Sequence, residues 1–143
     1  LRMVFRFHFD EADFKRAFDT SVNVFNELVK FMKPGVSYRA VIEFYQKLVR
    51  DAGFIPKGML LHGRGIGEDR PQVTGEVAGD MYTSATYTQH LDLPLLEGNV
   101  FVLKPGAMPG DVPDSIRCGD TVVIEKNGAR RLGKRQFTFP EIL

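Results

Sequence analysis

A short glycine-rich segment near the middle of the chain is the first place where the residue types could support chemistry. Residues 62–67 read His-Gly-Arg-Gly-Ile-Gly, with a glycine at every second position. Such glycines let the backbone adopt positive φ angles or approach a ligand closely. A phosphate site needs a helix to follow, but residues 68–71 are acidic and end in a helix-breaking proline. By itself the segment therefore favours a tight loop between two crossing elements more than a phosphate-binding loop.

Histidine and cysteine are the next candidates, as metal ligands or as a nucleophile and its base. The three histidines, His8, His62 and His90, lie far apart and without metal-ligand spacing, so a self-contained metal site is not expected. The pattern favours a hydrogen-bonded structural role for His62. Cys118 could pair with His62 as a nucleophile. A lone cysteine beside a strand is more typical of a small buried apolar residue.

Near the end of the chain, basic and aromatic residues are interleaved in a way that also occurs in nucleic-acid-binding proteins. The set comprises Arg130, Arg131, Lys134, Arg135, Phe137 and Phe139. The net charge of the whole chain is only +1, from 19 basic and 18 acidic residues, so no strong field attracts a polyanion. The pattern therefore favours the solvated face of a hairpin, and no nucleic-acid partner is expected.

Two helices are predicted in the first third of the chain. Residues 1–9 alternate apolar and polar side chains and predict a strand, after which Asp10 is suited to cap a helix. The apolar spacing of that helix ends at residues 33–35, Lys-Pro-Gly, which combine a helix breaker with a left-handed cap. Ser37 is the predicted N-cap of a second helix, which Gly53 closes.

Short strands are predicted in the remainder of the chain. Residues 59–61, 100–103 and 121–124 are apolar runs separated by glycine and proline. The strongest hairpin signal is the Asn-Gly pair at residues 127–128, between the apolar stretches 122–125 and 129–132. Helices followed by antiparallel strands predict an α+β fold rather than the regular alternation of a doubly wound sheet.

Composition limits the class of protein. At 143 residues the chain is long enough for one domain, and 43% hydrophobic with 26% charged residues is the composition of a globular protein. A single cysteine excludes an internal disulfide framework and fits a reducing compartment, so a cytoplasmic location is expected. No apolar run is long enough to span a membrane, and no membrane partner is expected. Because Leu1 stands where an initiator methionine is usual, we expect a fragment or a processed product.

Four motifs, in order, resemble those of the pita-bread fold superfamily, which includes creatinase, Xaa-Pro aminopeptidase, prolidase and methionine aminopeptidase. Residues 33–36 resemble its KPGV link, and residues 63–67 resemble its GHGIG loop. Residues 96–106 resemble LEPGMVFTVEPG with one residue deleted, and residues 117–128 resemble RIEDTVLV followed by DG. The resemblance implies the C-terminal portion of a pita-bread fold, with two helices followed by an antiparallel sheet. Residues 1–143 would then be a single partial domain.

The same resemblance implies that the family's metal ligands are replaced. In metal-dependent members, which use manganese, cobalt or zinc, the ligands are two aspartates, a histidine and two glutamates. The histidine and the glutamates fall on Arg64, Lys104 and Gly119, and the aspartates fall at or before Leu1. No cofactor is therefore expected in this chain. In a shifted alignment His62 becomes the ligand, but the glycines no longer match. The second family histidine falls on Pro71 or, in the shifted alignment, on Asp69.

By resemblance, the parent protein is a metallopeptidase-family hydrolase of the Xaa-Pro aminopeptidase or dipeptidase type that works without metal. Arg64, Lys104 and Asp69 are the expected substrate-binding residues, and His62 is the candidate proton carrier. The two cations are expected to pair with acidic groups or with a ligand carboxylate. Alternatives are a non-catalytic binding module, a metal-free creatinase-like C–N hydrolase and an unrelated α+β domain.

The expected partner is a peptide or small molecule with an anionic group. A homo-oligomer is also expected, because self-association would cover exposed sheet edges. This chain by itself is expected to be inactive.

Overall fold

The computed structural model describes residues 11–63, 71–74, 91–110 and 115–139. Two helices come first, α1 over Glu11–Phe31 and α2 over Tyr38–Asp51. The apolar side chains of both helices recur every three or four residues, so each helix buries one face. Both predicted helices are confirmed, whereas the predicted strand over residues 1–9 and the cap at Asp10 lie outside the described residues.

The link between the helices forms as its residues predict. Gly35 has a φ of +90°, and its N–H donates to the carbonyl of Leu95 at 3.0 Å. Ser37 caps α2, because its hydroxyl accepts a hydrogen bond from the N–H of Ala40 at 3.1 Å. At the other end of α2, Gly53 has a φ of +83° and closes the helix.

In the part of the chain that the structure describes, eight short strands form two antiparallel sheets. They are β1 (Ile55–Pro56), β2 (Met59–Gly63), β3 (Gln72–Thr74), β4 (Val100–Leu103), β5 (Gly106–Met108), β6 (Ile116–Arg117), β7 (Asp120–Glu125) and β8 (Gly128–Arg131). The larger sheet has the order β3-β2-β4-β7-β8, and the smaller one has the order β1-β5-β6. The α+β prediction is confirmed, with the hairpin turn at residues 126–127.

The register of the larger sheet separates two faces. On one face, here called the helix face, Leu61 pairs with Leu103, and Phe101 pairs with Val122; all four are buried. On the other, here called the His62 face, His62 pairs with Val102, which pairs with Thr121; these side chains are half-buried. This division follows from the two-residue period of a strand.

The helices close the core and join the two sheets. Helix α1 packs against β5, β6 and β8, and α2 packs against β1 and β3. The buried hydroxyl of Ser21 donates to the carbonyl of Ile116 at 2.8 Å. The hydroxyl of Tyr45 donates to the carbonyl of Gly106 at 2.6 Å and accepts from the N–H of Lys57 at 3.2 Å. Neither helix is long and apolar enough to cross a membrane, as far as the described residues go.

Candidate functional site

His62 lies on an inner strand of the larger sheet. Strand β2 holds it between Val102 of β4 and Gln72 of β3, on the half-buried His62 face. Its Nδ1 atom is 3.1 Å from the carbonyl oxygen of Gly63. A carbonyl oxygen only accepts, so Nδ1 is the donor in this contact, which orients the imidazole ring.

Lys104 is the first residue after β4, and the sheet register places it beside Gly119. Its N–H donates to the carbonyl of Leu60 at 2.7 Å, which fixes its backbone against β2. Leu103 pairs with Asp120, so the next pair outward consists of Lys104 and Gly119, on the same face as His62. The Lys104 side chain is half-buried. Among the described residues, no acceptor contacts its ammonium group.

Gly119 leaves the space that the Lys104 side chain occupies. A Cβ atom placed at Gly119 would lie 2.8 Å from Cγ of Lys104 and 2.9 Å from the carbonyl oxygen of Leu103. Real Cβ atoms essentially never approach other atoms so closely. The φ of Gly119 is not in the left-handed region, so the need for glycine is steric and not conformational.

Two of the predicted substrate-binding residues, Arg64 and Asp69, lie outside the described residues, as does His90. Their roles stay predictions. Of the four predicted site residues, the structure places two on one face of the larger sheet, His62 in β2 and Lys104 directly after the neighbouring strand β4. Gly119, where the resemblance predicted a replaced metal ligand, lies directly against Lys104.

Lys104 and Gly119 supply no ligand for a metal ion. An ammonium group and a glycine offer no lone pair to a divalent cation, and the space between them is filled by the lysine stem. Nowhere in the ranges 11–63, 71–74, 91–110 and 115–139 do three His, Cys, Asp or Glu side chains come together as a metal would require.

Cys118 is a buried free thiol, as its position beside a strand predicted. Desolvation raises its pKa to about 12. The group therefore stays a thiol at neutral pH, which argues against a nucleophilic role.

A charged cluster on the helix face was not found from the sequence. The Nε atom of Arg131 donates to Oδ2 of Asp120 at 2.6 Å, and both side chains are mostly buried. The guanidinium carbon of Arg131 also lies 4.0 Å from the ring centre of Phe137 and 5.8 Å from that of Phe25. Arg131 is thus a buried structural residue, so the prediction of a solvated basic hairpin was wrong for it. The prediction holds for the exposed Arg130, which pairs with Glu125 at 2.5 Å.

The environment of Asp120 lowers the pKa of its carboxyl. Burial by itself raises that pKa, but hydrogen bonds from Arg131 and from the N–H groups of Thr121 and Gly133 outweigh it. The N–H of Thr121 donates to Oδ1 at 2.7 Å. Asp120 is therefore a carboxylate that Arg131 binds on the helix face. Lys104 lies on the opposite face of the sheet.

Comparison with solved structures shows where this fold occurs. Prolidase from Pyrococcus furiosus matches with a TM-score of 0.63 and 24% identity, covering 85% of this chain and 33% of that chain. X-Pro aminopeptidase from Thermotoga maritima matches with a TM-score of 0.66 and 20% identity, covering 91% and 34%. Methionine aminopeptidase from Thermotoga maritima matches with a TM-score of 0.63 and 24% identity, covering 88% and 53%. The pita-bread fold is confirmed.

The chain spans about a third of the length of prolidase and about half of that methionine aminopeptidase. No sequence among the curated proteins is similar enough to this chain to count as a match. The sequence model of Metallopeptidase family M24, in contrast, matches residues 2–126. By that match, which extends over most of its length, this chain belongs to metallopeptidase family M24.

Proposed function

We propose that this chain is part of an M24-family protein that binds a peptide or small molecule through its carboxylate, without a metal ion. The observation that carries the proposal is the contact between Lys104 and Gly119, where the Cγ atom of the lysine takes the space of a side chain at position 119. The family resemblance implies metal ligands at positions 104 and 119, where this chain has a lysine and a glycine. We infer that the positive charge of the lysine stands where other members of the family would bind a metal ion.

The charge of Lys104 determines what the site attracts. An ammonium group repels a divalent cation at close range and attracts a carboxylate. Lys104 is half-buried, and an anionic partner would offset any hydration that its ammonium group loses. No described side chain supplies that partner, which supports a ligand carboxylate in this role. Arg64 is proposed as a second anchor and Asp69 as a polar contact to the ligand.

Two chemical outcomes are open to such a site. In the first, the protein is a hydrolase of Xaa-Pro peptides or of another C–N bond, and His62 accepts the proton of the attacking water. The contact of 3.1 Å between Nδ1 and the Gly63 carbonyl oxygen supports this role, because it orients the imidazole ring. Since the chain spans only part of its relatives, hydrolysis is proposed for the protein that contains it and not for this chain by itself.

In the second outcome the protein binds its ligand without turnover. The position of Asp120 favours this alternative. That carboxylate follows Gly119 directly, yet it lies on the opposite face and is held by Arg131. A base or acid from Asp120 is therefore not available beside Lys104. Self-association into a homo-oligomer and a cytoplasmic location stay predictions that accompany both alternatives.

The first experiment measures metal and carboxylate binding together. The protein is purified without chelators, its metal content is measured by elemental mass spectrometry, and glycyl-proline is titrated by calorimetry with and without EDTA. We expect less than about 0.1 equivalent of metal and saturable binding that EDTA does not change. Glycyl-prolinamide, which lacks the carboxylate, should bind at least about tenfold more weakly. One or two equivalents of tightly bound manganese, zinc or cobalt would contradict the proposal.

Variants then test which side chain binds the carboxylate of glycyl-proline. Lys104→Met should weaken glycyl-proline binding by about tenfold, because it removes a charge-assisted hydrogen bond. The matched control is Lys126→Met, which removes the same charge from the exposed β7–β8 turn. Equal effects of the two variants would show a general charge effect and contradict the role of Lys104. Proline release that His62→Gln abolishes while binding persists would favour the hydrolase over the binding module.

A further inference from the structure

The His62 face also carries three valine side chains that lie further along the sheet from Lys104. Val102 of β4 lies opposite His62 of β2. Two residues before it, Val100 lies opposite Val123 of β7. Because side chains alternate along a strand, all three valines project from the His62 face, as Lys104 does. Val100, Val102 and Val123 are here called the valine patch.

The valine patch is not used by the hydrophobic core. The core lies on the helix face, and in the described part of the chain none of the three valines belongs to it or is among the side chains packed against it. Each of the three is half-buried. Aliphatic side chains in this position lose further contact with water when an apolar group covers them, which favours binding of that group. The patch is therefore apolar surface available on the same face as Lys104.

The charged groups at the two ends of the valine patch differ. At one end the ammonium of Lys104 has no acceptor among the described residues. At the other end Arg130 lies opposite Val123, and its guanidinium already pairs with Glu125. An anionic group is therefore attracted to the Lys104 end. This difference sets the direction in which a ligand lies along β4.

The spacing along β4 matches a short extended ligand. A strand rises about 3.3 Å per residue, so Val102 lies roughly 7 Å and Val100 roughly 13 Å from Lys104. An extended dipeptide spans roughly 7 Å, so its amino-terminal residue lies over Val102 when its carboxylate is at Lys104. The side chain of that residue then extends towards Val100 and Val123. A ligand in this direction also passes beside His62.

We propose that the ligand is an extended amphipathic carboxylate, which binds along β4 with its carboxylate at Lys104 and an aliphatic group on the valine patch. This inference rests on the proposed function, because Lys104 binds the carboxylate in both, and it adds the chemistry of the other end of the ligand. Val100 and Val123 are then residues that determine specificity, since they distinguish ligands that have the same carboxylate.

The test compares three dipeptides by calorimetry: glycyl-proline, leucyl-proline and asparaginyl-proline. All three have the same carboxylate, and the leucine and asparagine side chains are similar in size and shape. We expect leucyl-proline to bind about tenfold more tightly than glycyl-proline, because its aliphatic side chain is removed from water. Asparaginyl-proline should bind no more tightly than glycyl-proline, because an amide loses hydration on a surface of valines.

A pair of variants assigns this preference to the patch. Val123→Thr keeps the branched shape of the side chain and replaces a methyl group with a hydroxyl group, so it should lower the preference for leucyl-proline to about threefold. Val36→Thr is the matched control, because it makes the same exchange at a half-buried position in the link between α1 and α2. It should leave the preference at about tenfold. Circular dichroism checks that both variants fold, and Val100→Thr replaces Val123→Thr if that variant does not.

The outcomes separate this inference from the proposed function. The inference is overturned if leucyl-proline binds no more tightly than glycyl-proline, or if asparaginyl-proline binds as tightly as leucyl-proline. It is also overturned if the patch variant leaves the preference unchanged or if Val36→Thr lowers it equally. In each of these cases, glycyl-proline binding that Lys104→Met weakens still supports the proposed function. If none of the dipeptides binds, the proposed function and the inference both fail.

Discussion

The two faces of the larger sheet differ in the partners that they offer to a positively charged side chain. On the helix face, Arg131 is bound by Asp120 and lies against the rings of Phe25 and Phe137. On the His62 face, the ammonium of Lys104 meets no acceptor among the described residues, and its stem lies against a glycine. A charged side chain with a complete set of partners, such as Arg131, has a structural role. A charged side chain that has space but no partner among the described residues, such as Lys104, is a candidate for binding an anionic ligand.

Removing the partner of Arg131 should give the largest effect. Asp120→Ala leaves a mostly buried guanidinium without its carboxylate, and we expect a loss of about 2–3 kcal/mol in the free energy of unfolding. Urea unfolding followed by circular dichroism measures it. The control is Asp92→Asn, which breaks the exposed pair with Arg39 and should leave the urea midpoint unchanged. Equal effects of the two variants would show that the mostly buried Asp120–Arg131 pair contributes no more to stability than an exposed pair.

A smaller effect is expected where Lys104 meets Gly119. Gly119→Ala places a methyl group 2.8 Å from Cγ of Lys104 and 2.9 Å from the carbonyl of Leu103. The lysine stem can move, but the carbonyl belongs to the sheet, so we expect a loss of about 1–2 kcal/mol in the free energy of unfolding. Gly110→Ala is the matched control, because nothing lies within 4 Å of a Cβ at that position. If Gly119→Ala leaves the free energy of unfolding unchanged, the space beside Gly119 is not filled by the lysine stem.

The pH dependence of the free energy of unfolding should show a smaller effect, which comes from the Asp120 carboxylate on the helix face. The pKa of Asp120 is lowered in the folded protein from its ordinary value of 3.8, so folding favours the ionised form. The stability that this contributes is complete above pH 4 and is lost as the pH falls below 4 towards the folded pKa. Asp120→Asn cannot titrate and should therefore lose less stability than the wild type between pH 5 and pH 3. Identical slopes in urea midpoints measured across this range would contradict the lowered pKa.

The helices and turns were predictable because their signals are local. Ser37 caps α2 with its own side chain, and Gly35 adopts the positive φ that residues 33–35 predicted. The Asn-Gly pair likewise places the β7–β8 hairpin within one residue of its observed position. Each of these features depends on residues close together in the chain, so it can be inferred without knowing the rest of the fold.

The Asp120–Arg131 cluster was missed because it depends on sheet register. In the observed register Glu125 pairs with Gly128, and counting outward from that pair places Asp120 opposite residue 133, with Arg131 as its diagonal neighbour. The predicted turn at residues 127–128 would instead place residue 135 opposite Asp120. The side-by-side placement of Lys104 and Gly119 has no comparable local signal. It requires the pairing of β4 with β7, which are separated by β5 and β6 in the chain.

The contact between Lys104 and Gly119 also makes the two positions interdependent. The stem of the lysine lies where a side chain at position 119 would begin, and the carbonyl oxygen of Leu103 limits the same space. Exchanging residue 104 alone would remove the first obstacle and leave the second, because the carbonyl belongs to the backbone. An acidic residue at position 119 therefore requires a shift of the backbone as well as a new residue at position 104.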